Sequence, residues 1–208
     1  MLETLFEVQT PSSKIKIQVI GNIIASQELI KFLDKEKFSE LCKSGCPTYD
    51  KKWACPPYSP SYDQYAKLYS KAMLVCFFCT MDQFGYIKND YLKIKAANSI
   101  LKSRMDKFMR NLETELGGEF LSNGSCRICK PCSCKNKEGG CKNPTKRRYS
   151  MEAVGLDVGK ISEDILEHKL FWYGKNRLPL YTSVVSCLLN NNQRMNLEGI
   201  KKISLLSS

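Results

Sequence analysis

Long apolar runs are absent from this 208-residue sequence. No uninterrupted apolar stretch approaches the roughly 20 residues that cross a bilayer, so we expect neither a membrane-spanning segment nor a membrane partner. The first residues, MLETLFEVQT, lack the basic patch, apolar run and small-residue cleavage site of a secretory signal. We therefore expect a cytoplasmic protein whose thiols stay reduced.

Histidine is nearly absent as well, whereas cysteine is abundant. The one histidine, His168, falls on a predicted helix far from the cysteine-rich loops, and we interpret it as a surface residue. Eleven cysteines accompany a hydrophobic fraction of 43%, which is enough apolar material for a core without cross-links. An odd number of cysteines in a reducing compartment indicates metal binding rather than a disulfide framework.

Acidic residues are scarce where the cysteines are densest. The segment from Cys126 to Arg148 carries eight basic residues and one acid, Glu138, so seven of the eleven net positive charges lie there. Four thiolates around zinc, or around an oxidised 4Fe–4S cluster, leave a net charge of about −2 because metal binding requires deprotonated sulfur. The basic residues can compensate that charge, which makes nucleic-acid binding the weaker explanation of the +11 balance.

Apolar patterns predict three main strands. Ile15, Ile17 and Val19 alternate with polar residues, as in a half-buried strand. The continuous apolar run 72–80 has no helical face and indicates a strand that is covered on both sides, and 182–190 indicates another apolar strand.

Two helices and a short strand complete the predicted elements. Apolar residues at steps of three and four predict a long helix from Asp90 to Leu116, ended by Gly117 and followed by a strand at 119–121. A second helix is expected to begin at the cap Ser26, to end near Cys42, and to have the apolar face Leu29, Phe32, Leu33 and Leu41. We predict a single α/β domain over residues 1–208, a small mixed sheet packed with helices, with cysteine-rich metal-binding loops at 42–60 and 122–149.

These elements divide the cysteines into two groups. Cys76, Cys79 and Cys187 lie in apolar strand patterns and are interpreted as small buried hydrophobic residues. Cys76 and Cys79 are three residues apart, so on a strand they point to opposite faces and cannot share a metal. The other eight fall in predicted loops and are the candidate metal ligands, enough for two four-thiolate sites: Cys42, Cys46, Cys55, Cys126, Cys129, Cys132, Cys134 and Cys141.

The spacing of the downstream cysteines favours iron over zinc. CRICKPC, residues 126–132, is a Cys-x2-Cys-x2-Cys run, which is the opening of the bacterial ferredoxin motif and wraps a short loop around three corners of a cubane. Zinc loops usually present their cysteines as two separated pairs. We expect one or two 4Fe–4S clusters, with zinc as the alternative cofactor.

Two longer stretches carry a resemblance to a known family. CPTYDKKWACPPYSP (46–60) and CKNPTKRRYSMEAVGLDV (141–158) resemble domain-of-unknown-function family 2284, a family of predicted metal-binding proteins. The similarity covers roughly residues 40 to 160 and implies metal binding by the two cysteine loops. Cys134 is additional to the family pattern, so the fourth downstream ligand is either Cys134 or Cys141.

Side chains near the cysteines have two interpretations each. Trp53 and the tyrosines beside it can shield a cluster from water or stack on a substrate. Arg147 and Arg148 can compensate thiolate charge or bind an anionic substrate. Glu152 can act as an acid or base, or occupy a first helical turn capped by Ser150, which we favour.

Three functions are compatible with these features. The leading hypothesis is an iron–sulfur protein of an anaerobic system that performs electron transfer or redox chemistry with a redox partner protein or a small-molecule substrate. The alternative is a zinc-stabilised interaction module whose basic surface binds RNA or an acidic partner. A thiol oxidoreductase using Cys129 and Cys132 ranks last.

The upstream loop leaves one question open. It contains three candidate ligands for a metal. The fourth coordination position of this metal is either closed, by Cys134 or Cys141 from the downstream loop, or open to water or substrate. We favour the closed arrangement, because Cys134 otherwise has no assigned role. Whether the protein is an enzyme is undetermined from the sequence.

Overall fold

A five-stranded antiparallel sheet forms the centre of the protein, in a computed structural model that describes residues 1–137, 139–174, 177–193 and 195–201. Glu138, counted above with the downstream loop, lies outside the described residues. The strands are β1 (Leu2–Gln9), β2 (Lys14–Ala25), β3 (Lys71–Thr80), β4 (Glu119–Leu121) and β5 (Tyr181–Asn190). Their order in the sheet is β1-β2-β3-β5-β4.

The α/β class is confirmed, but every pairing between these strands is antiparallel, where we expected a mixed sheet. The reason lies in two long connections of the chain, residues 26–70 between β2 and β3 and residues 81–180 between β3 and β5. Ser26 N–H donates to the Ser70 carbonyl at 3.0 Å, and Met81 N–H donates to the Leu180 carbonyl at 2.9 Å. Each connection therefore returns to the end of the sheet that it left, which makes the two strands that it joins antiparallel, like those of a hairpin.

The described residues form five α-helices. They are α1 (Lys35–Gly45), α2 (Tyr62–Leu68), α3 (Asp90–Leu116), α4 (Val158–Leu166) and α5 (Glu198–Lys201). The bounds of α3 confirm the prediction, and its apolar stripe packs on one face of the sheet. The other face packs against α2, α4, a 3₁₀ helix at Ser26–Phe32 and the segment 149–156. No helix in the described ranges is both long and apolar enough to cross a membrane.

The three strand cysteines are buried as predicted. Cys76, Cys79 and Cys187 are fully inaccessible to solvent. Cys79 belongs to the core on the α3 side, whereas Cys76 and Cys187 belong to the core on the opposite side. Burial raises the pKa of Cys79 to about 12, so this thiol stays neutral at physiological pH.

The predicted helix from Ser26 to Cys42 is wrong as a single element. A 3₁₀ helix ends at Phe32, Leu33 pairs with Leu156 in an isolated bridge, and α1 begins at Lys35. Ser26 does not cap a helix, because its hydroxyl donates to a backbone carbonyl of a later segment. The pairing of Leu33 with a residue far along the chain interrupts the single helix that the apolar spacing predicted.

The surface assignment of His168 is also wrong. The residue follows α4 and is only 7% exposed. Its Nε2 lies 2.8 Å from the Ser183 hydroxyl on β5, and its ring packs against Phe78 and Tyr181. Burial lowers the pKa of His168 and favours the neutral ring.

Candidate metal centre

The downstream loop gathers four cysteines around one narrow cavity. Cys126, Cys129, Cys132 and Cys141 all line it, and each is half-buried. Apolar walls come from Trp53, Ala54 and Ile128. The short Cys-x2-Cys-x2-Cys run provides three of these thiols from seven residues, and the chain returns through Cys141 to add the fourth.

Hydrogen-bond donors surround the same cavity. Asn143 Nδ2 donates to Cys129 Sγ at 3.0 Å. Arg147 also lines the cavity, and its buried Nε has no acceptor among the described residues. The Arg147 guanidinium packs over the Tyr149 ring, with the guanidinium carbon 4.9 Å from the ring centroid. An unpaired donor beside four thiols fits a negatively charged thiolate centre, because such a centre supplies the missing acceptor.

The upstream cysteines form a second group. Cys42 lies in the last turns of α1, not in a loop as we expected, because the helix continues to Gly45. Cys46 follows the helix, and its N–H donates to the Cys42 carbonyl at 3.0 Å. Cys55 approaches from the far end of the loop, so that the Thr48 hydroxyl oxygen lies 3.2 Å from Cys46 Sγ and 3.6 Å from Cys55 Sγ.

Burial disfavours the charged thiolate form of two upstream cysteines. Burial raises the pKa of Cys42 and of Cys55, and the neighbouring Cys46 raises both further. Metal binding would therefore have to release protons from these groups, as it does at thiolate sites in general.

Two ionisable side chains accompany Cys42. The Glu152 carboxylate raises the pKa of Cys42 and the Lys35 ammonium lowers it, both less than burial does. Lys35 Nζ is held by four oxygens, among them Ser59 Oγ at 2.8 Å and the Ala153 carbonyl at 2.5 Å. The Lys35 ammonium is therefore held in place by protein oxygens, although burial lowers its pKa, and the Glu152 carboxylate lies near Cys42.

Cys134 stands apart from both groups. It is fully buried in a 3₁₀ turn, Ser133–Asn136, and its Sγ lies 3.8 Å from the carbonyl oxygen of Asp50. The Lys137 ammonium beside it bonds to the Asp50 carboxylate and to the Tyr58 hydroxyl. Cys134 therefore reaches the upstream loop at Asp50, whereas Cys141 stays with the downstream group.

The eight candidate ligands thus fall into sets of four, three and one. Within the ranges that the structure describes, no three Cys, His, Asp or Glu side chains converge closely enough to hold a single metal ion. The ligand assignment remains a prediction.

The two loops are joined directly. The Trp53 indole N–H donates to the Ser133 hydroxyl at 3.0 Å, and the Lys52 ammonium donates to the Cys126 carbonyl. Ala54 lines the downstream cavity, and the next residue, Cys55, belongs to the upstream group. The two candidate centres therefore adjoin through the segment from Trp53 to Cys55.

The segment 148–158 braces both loops. Gly155 has a φ of +96°, and a Cβ at this position would lie 2.7 Å from the Lys35 Cα, so no side chain fits there. Ser122, at the start of the downstream loop, donates its N–H to the Tyr149 carbonyl at 2.7 Å. The Ser150 hydroxyl accepts from Ala153 N–H at 3.1 Å, the bond expected of a cap, although a turn rather than a helix follows.

The two arginines have different partners. The Arg148 Nε and Nη2 bond to the two carboxylate oxygens of Glu113 on α3, at 2.7 and 2.8 Å. Arg147 points to the cysteine cavity instead. Sequence reasoning did not identify Asn143, Lys35 or Glu113. The signal for Asn143 was its position two residues after Cys141, inside the segment that returns to the cavity.

Comparison with known proteins identifies a family. No curated protein and no solved structure matches the chain. A family model described as "Predicted metal-binding protein (DUF2284)" matches residues 24–189. This range includes both cysteine loops and the segment 148–158 that packs against them. The chain therefore belongs to this family of predicted metal-binding proteins.

Proposed function

We propose that the protein is an iron–sulfur protein that holds a 4Fe–4S cluster on Cys126, Cys129, Cys132 and Cys141 and works in electron transfer. One observation carries the proposal: the three cysteines of a ferredoxin-like run line one cavity together with a fourth, Cys141. When bound, such a cluster takes up and releases single electrons. Zinc does not change its oxidation state and offers no such chemistry.

The side chains around the cavity have defined tasks in this proposal. Asn143 donates to the Cys129 sulfur, and Arg147 brings a positive charge with an unpaired N–H. Both features stabilise added negative charge, so they favour the reduced cluster. Trp53 and Ile128 limit the access of water to the sulfurs.

The upstream cysteines would hold a second metal site. Cys42, Cys46 and Cys55 supply three thiolates, and Cys134 and Cys141 have other neighbours in the fold. We propose that a non-cysteine ligand, either the Glu152 carboxylate or an external molecule, takes the fourth position. If an external molecule takes this position, the position is exchangeable, as in catalytic metal sites.

The proposed setting is a reducing, oxygen-poor cytoplasm with a redox partner protein. The adjoining arrangement of the two centres through Trp53–Cys55 supports this, because two neighbouring redox centres can pass electrons between a partner and a substrate.

Metal analysis tests the proposal. The protein is purified without oxygen, and its iron, acid-labile sulfide and zinc contents are measured together with its visible absorption and its electron paramagnetic resonance after reduction. We expect a brown protein with about four irons and four sulfides for each cluster site. Stoichiometric zinc without iron would overturn the proposal and favour the zinc-stabilised interaction module.

A further inference from the structure

A second cavity lies beside the cysteine cavity. Its volume is about 320 Å³, and it opens between α3 and the loop 122–128. Cys126 and Ile128 line both cavities, so they form a shared wall. The volume lies at the lower end of the range of roughly 300 to 1,000 Å³ that is typical of small-molecule sites.

The lining of this cavity is strongly basic. Lys102, Asp106 and Arg110 follow one another at steps of four along α3, so they lie on the same helix face. Arg127 and Arg148 contribute from the loop side. The lining of the cavity therefore contains four cationic side chains and one carboxylate.

Two of the cations are neutralised within the protein. Arg110 Nε bonds to Asp106 at 2.9 Å, and Arg148 is held by Glu113. Lys102 and Arg127 form no ion pair with any carboxylate in the described parts of the chain. The cavity therefore keeps two uncompensated positive charges on opposite walls.

The loop backbone adds further donors. None of the backbone N–H groups of residues 123–128 donates a hydrogen bond to another described residue. At Gly124, the nearest atom that an added Cβ would meet is Lys102 Nζ, at 3.9 Å. The loop backbone and the Lys102 ammonium therefore face each other without an intervening side chain, an arrangement that suits an oxyanion.

We propose that this cavity is a binding site for a small organic anion that carries a phosphate or a pair of carboxylates. Lys102 and Arg127 supply the charge, and the 123–128 amides supply the hydrogen bonds. The anion would lie against the wall formed by Cys126. Binding itself does not depend on which metal the protein holds, whereas the role of the anion as a redox substrate rests on the proposed function.

The test uses the anaerobically purified protein with its metal in place. Inorganic phosphate and succinate are titrated separately by isothermal calorimetry, and the arm that binds more tightly identifies the group recognised. The variants Lys102→Ala and Arg127→Ala each remove one unpaired charge. Lys107→Ala is the matched control, because Lys107 is exposed on the same helix and does not line the cavity.

A further variant separates a pocket from general electrostatic attraction. Ser103→Trp places a bulky side chain in the cavity without altering charge, at an exposed position of α3 where a large residue does not disturb the core. We expect saturable one-to-one binding, a loss of about tenfold for each of the Lys102 and Arg127 variants, and a change of under about twofold for Lys107→Ala. Ser103→Trp should abolish binding.

Three results would overturn the site: no saturable binding of either anion, equal weakening by Lys107→Ala and Lys102→Ala, or full binding by Ser103→Trp. Failure of the proposed function is recognised separately. If the protein contains zinc but binds the anion as described, the site stands and the redox role fails. If the protein contains iron, we expect the anion to shift the paramagnetic resonance of the reduced cluster, and an unchanged spectrum would contradict binding beside Cys126.

Discussion

The downstream loop gathers its four grouped cysteines from residues 126–141, whereas the upstream group combines a helix end with the far side of a loop. In the first case, short-range spacing alone brings three of the thiols to the cavity. In the second, Cys42 and Cys55 meet only because α1 and the loop fold back on each other. The downstream site is therefore a local structure, whereas the upstream site depends on the packing around it.

The two groups also differ in their charged neighbours. The downstream thiols face Asn143 and Arg147, both of which have donors available for sulfur. Of the upstream thiols, Cys42 lies near Glu152 and near Lys35, whose ammonium is already occupied by protein oxygens. A resident cluster suits the first environment, and an exchangeable ligand suits the second.

The largest expected effect comes from removing a downstream thiol. Cys129→Ser should lose one full cluster, about four irons, because the cavity then offers three thiolates and the serine hydroxyl is a poor substitute. Cys46→Ser should lose only the upstream metal. Iron analysis and paramagnetic resonance of both variants measure this. Loss of all metal from both proteins would show that the two groups form one interdependent centre.

The attachment of the downstream loop to α3 gives the next effect. Glu113→Ala should lower the free energy of unfolding by about 2–3 kcal/mol, because it leaves the Arg148 guanidinium largely buried without its carboxylate and frees the Phe120 N–H. Asp106→Ala, which breaks a more exposed pair on the same helix, should cost about 0.5 kcal/mol. Urea unfolding of the holoprotein compares them. Equal costs would mean that the Glu113 pair does not hold the loop.

Cys134 tests whether the upstream site is closed. Cys134→Ala should keep the full metal content and cost about 1 kcal/mol of stability, since the thiol is buried against the Asp50 carbonyl. Cys187→Ala is the matched control, because it truncates another fully buried cysteine that lies on a strand. Both proteins are assayed for iron and for unfolding. If only the Cys134 variant lost the upstream metal, the closed arrangement would be correct.

The smallest effect concerns pH and lies outside both loops. Burial lowers the pKa of His168 below its unfolded value of 6.5, so its contribution to stability is complete above that value and is lost as the pH falls through the folded pKa. His168→Gln should therefore show a weaker loss of stability between neutral and mildly acidic pH than the unaltered protein. Thermal unfolding over this range measures the slope. Identical slopes would assign the acid sensitivity to the loops instead.

The sequence predicted much of the fold because its strongest signals are local. The bounds of α3 and β4 followed from apolar periodicity and from the glycines between them. The burial of Cys76 and Cys79 on opposite faces followed from the two-residue repeat of a strand. The family membership followed from two quoted motifs and is confirmed.

Three of the missed features involve a distant partner. Leu33 interrupts a helix because it pairs with Leu156 in an isolated bridge. His168 is buried where its ring forms a hydrogen bond with the Ser183 hydroxyl. The two long connections return to the end of the sheet that they left, which makes the joined strands antiparallel. Periodicity within a segment carries no information about such partners.

For the candidate site, residue spacing alone was sufficient to identify the three downstream cysteines of one short run as a group, because Cys-x2-Cys-x2-Cys is the spacing with which a ferredoxin loop wraps one cluster. The remaining assignments depended on the folded chain. The segment 148–158 packs against Ser122 and Lys35 and so holds the two loops together. In the folded chain Arg147 lines the cysteine cavity and Arg148 pairs with Glu113. Cys134 lies against the Asp50 carbonyl. Long-range contacts decided these partners, because side chains far apart in sequence meet only when the sheet and helices have placed them.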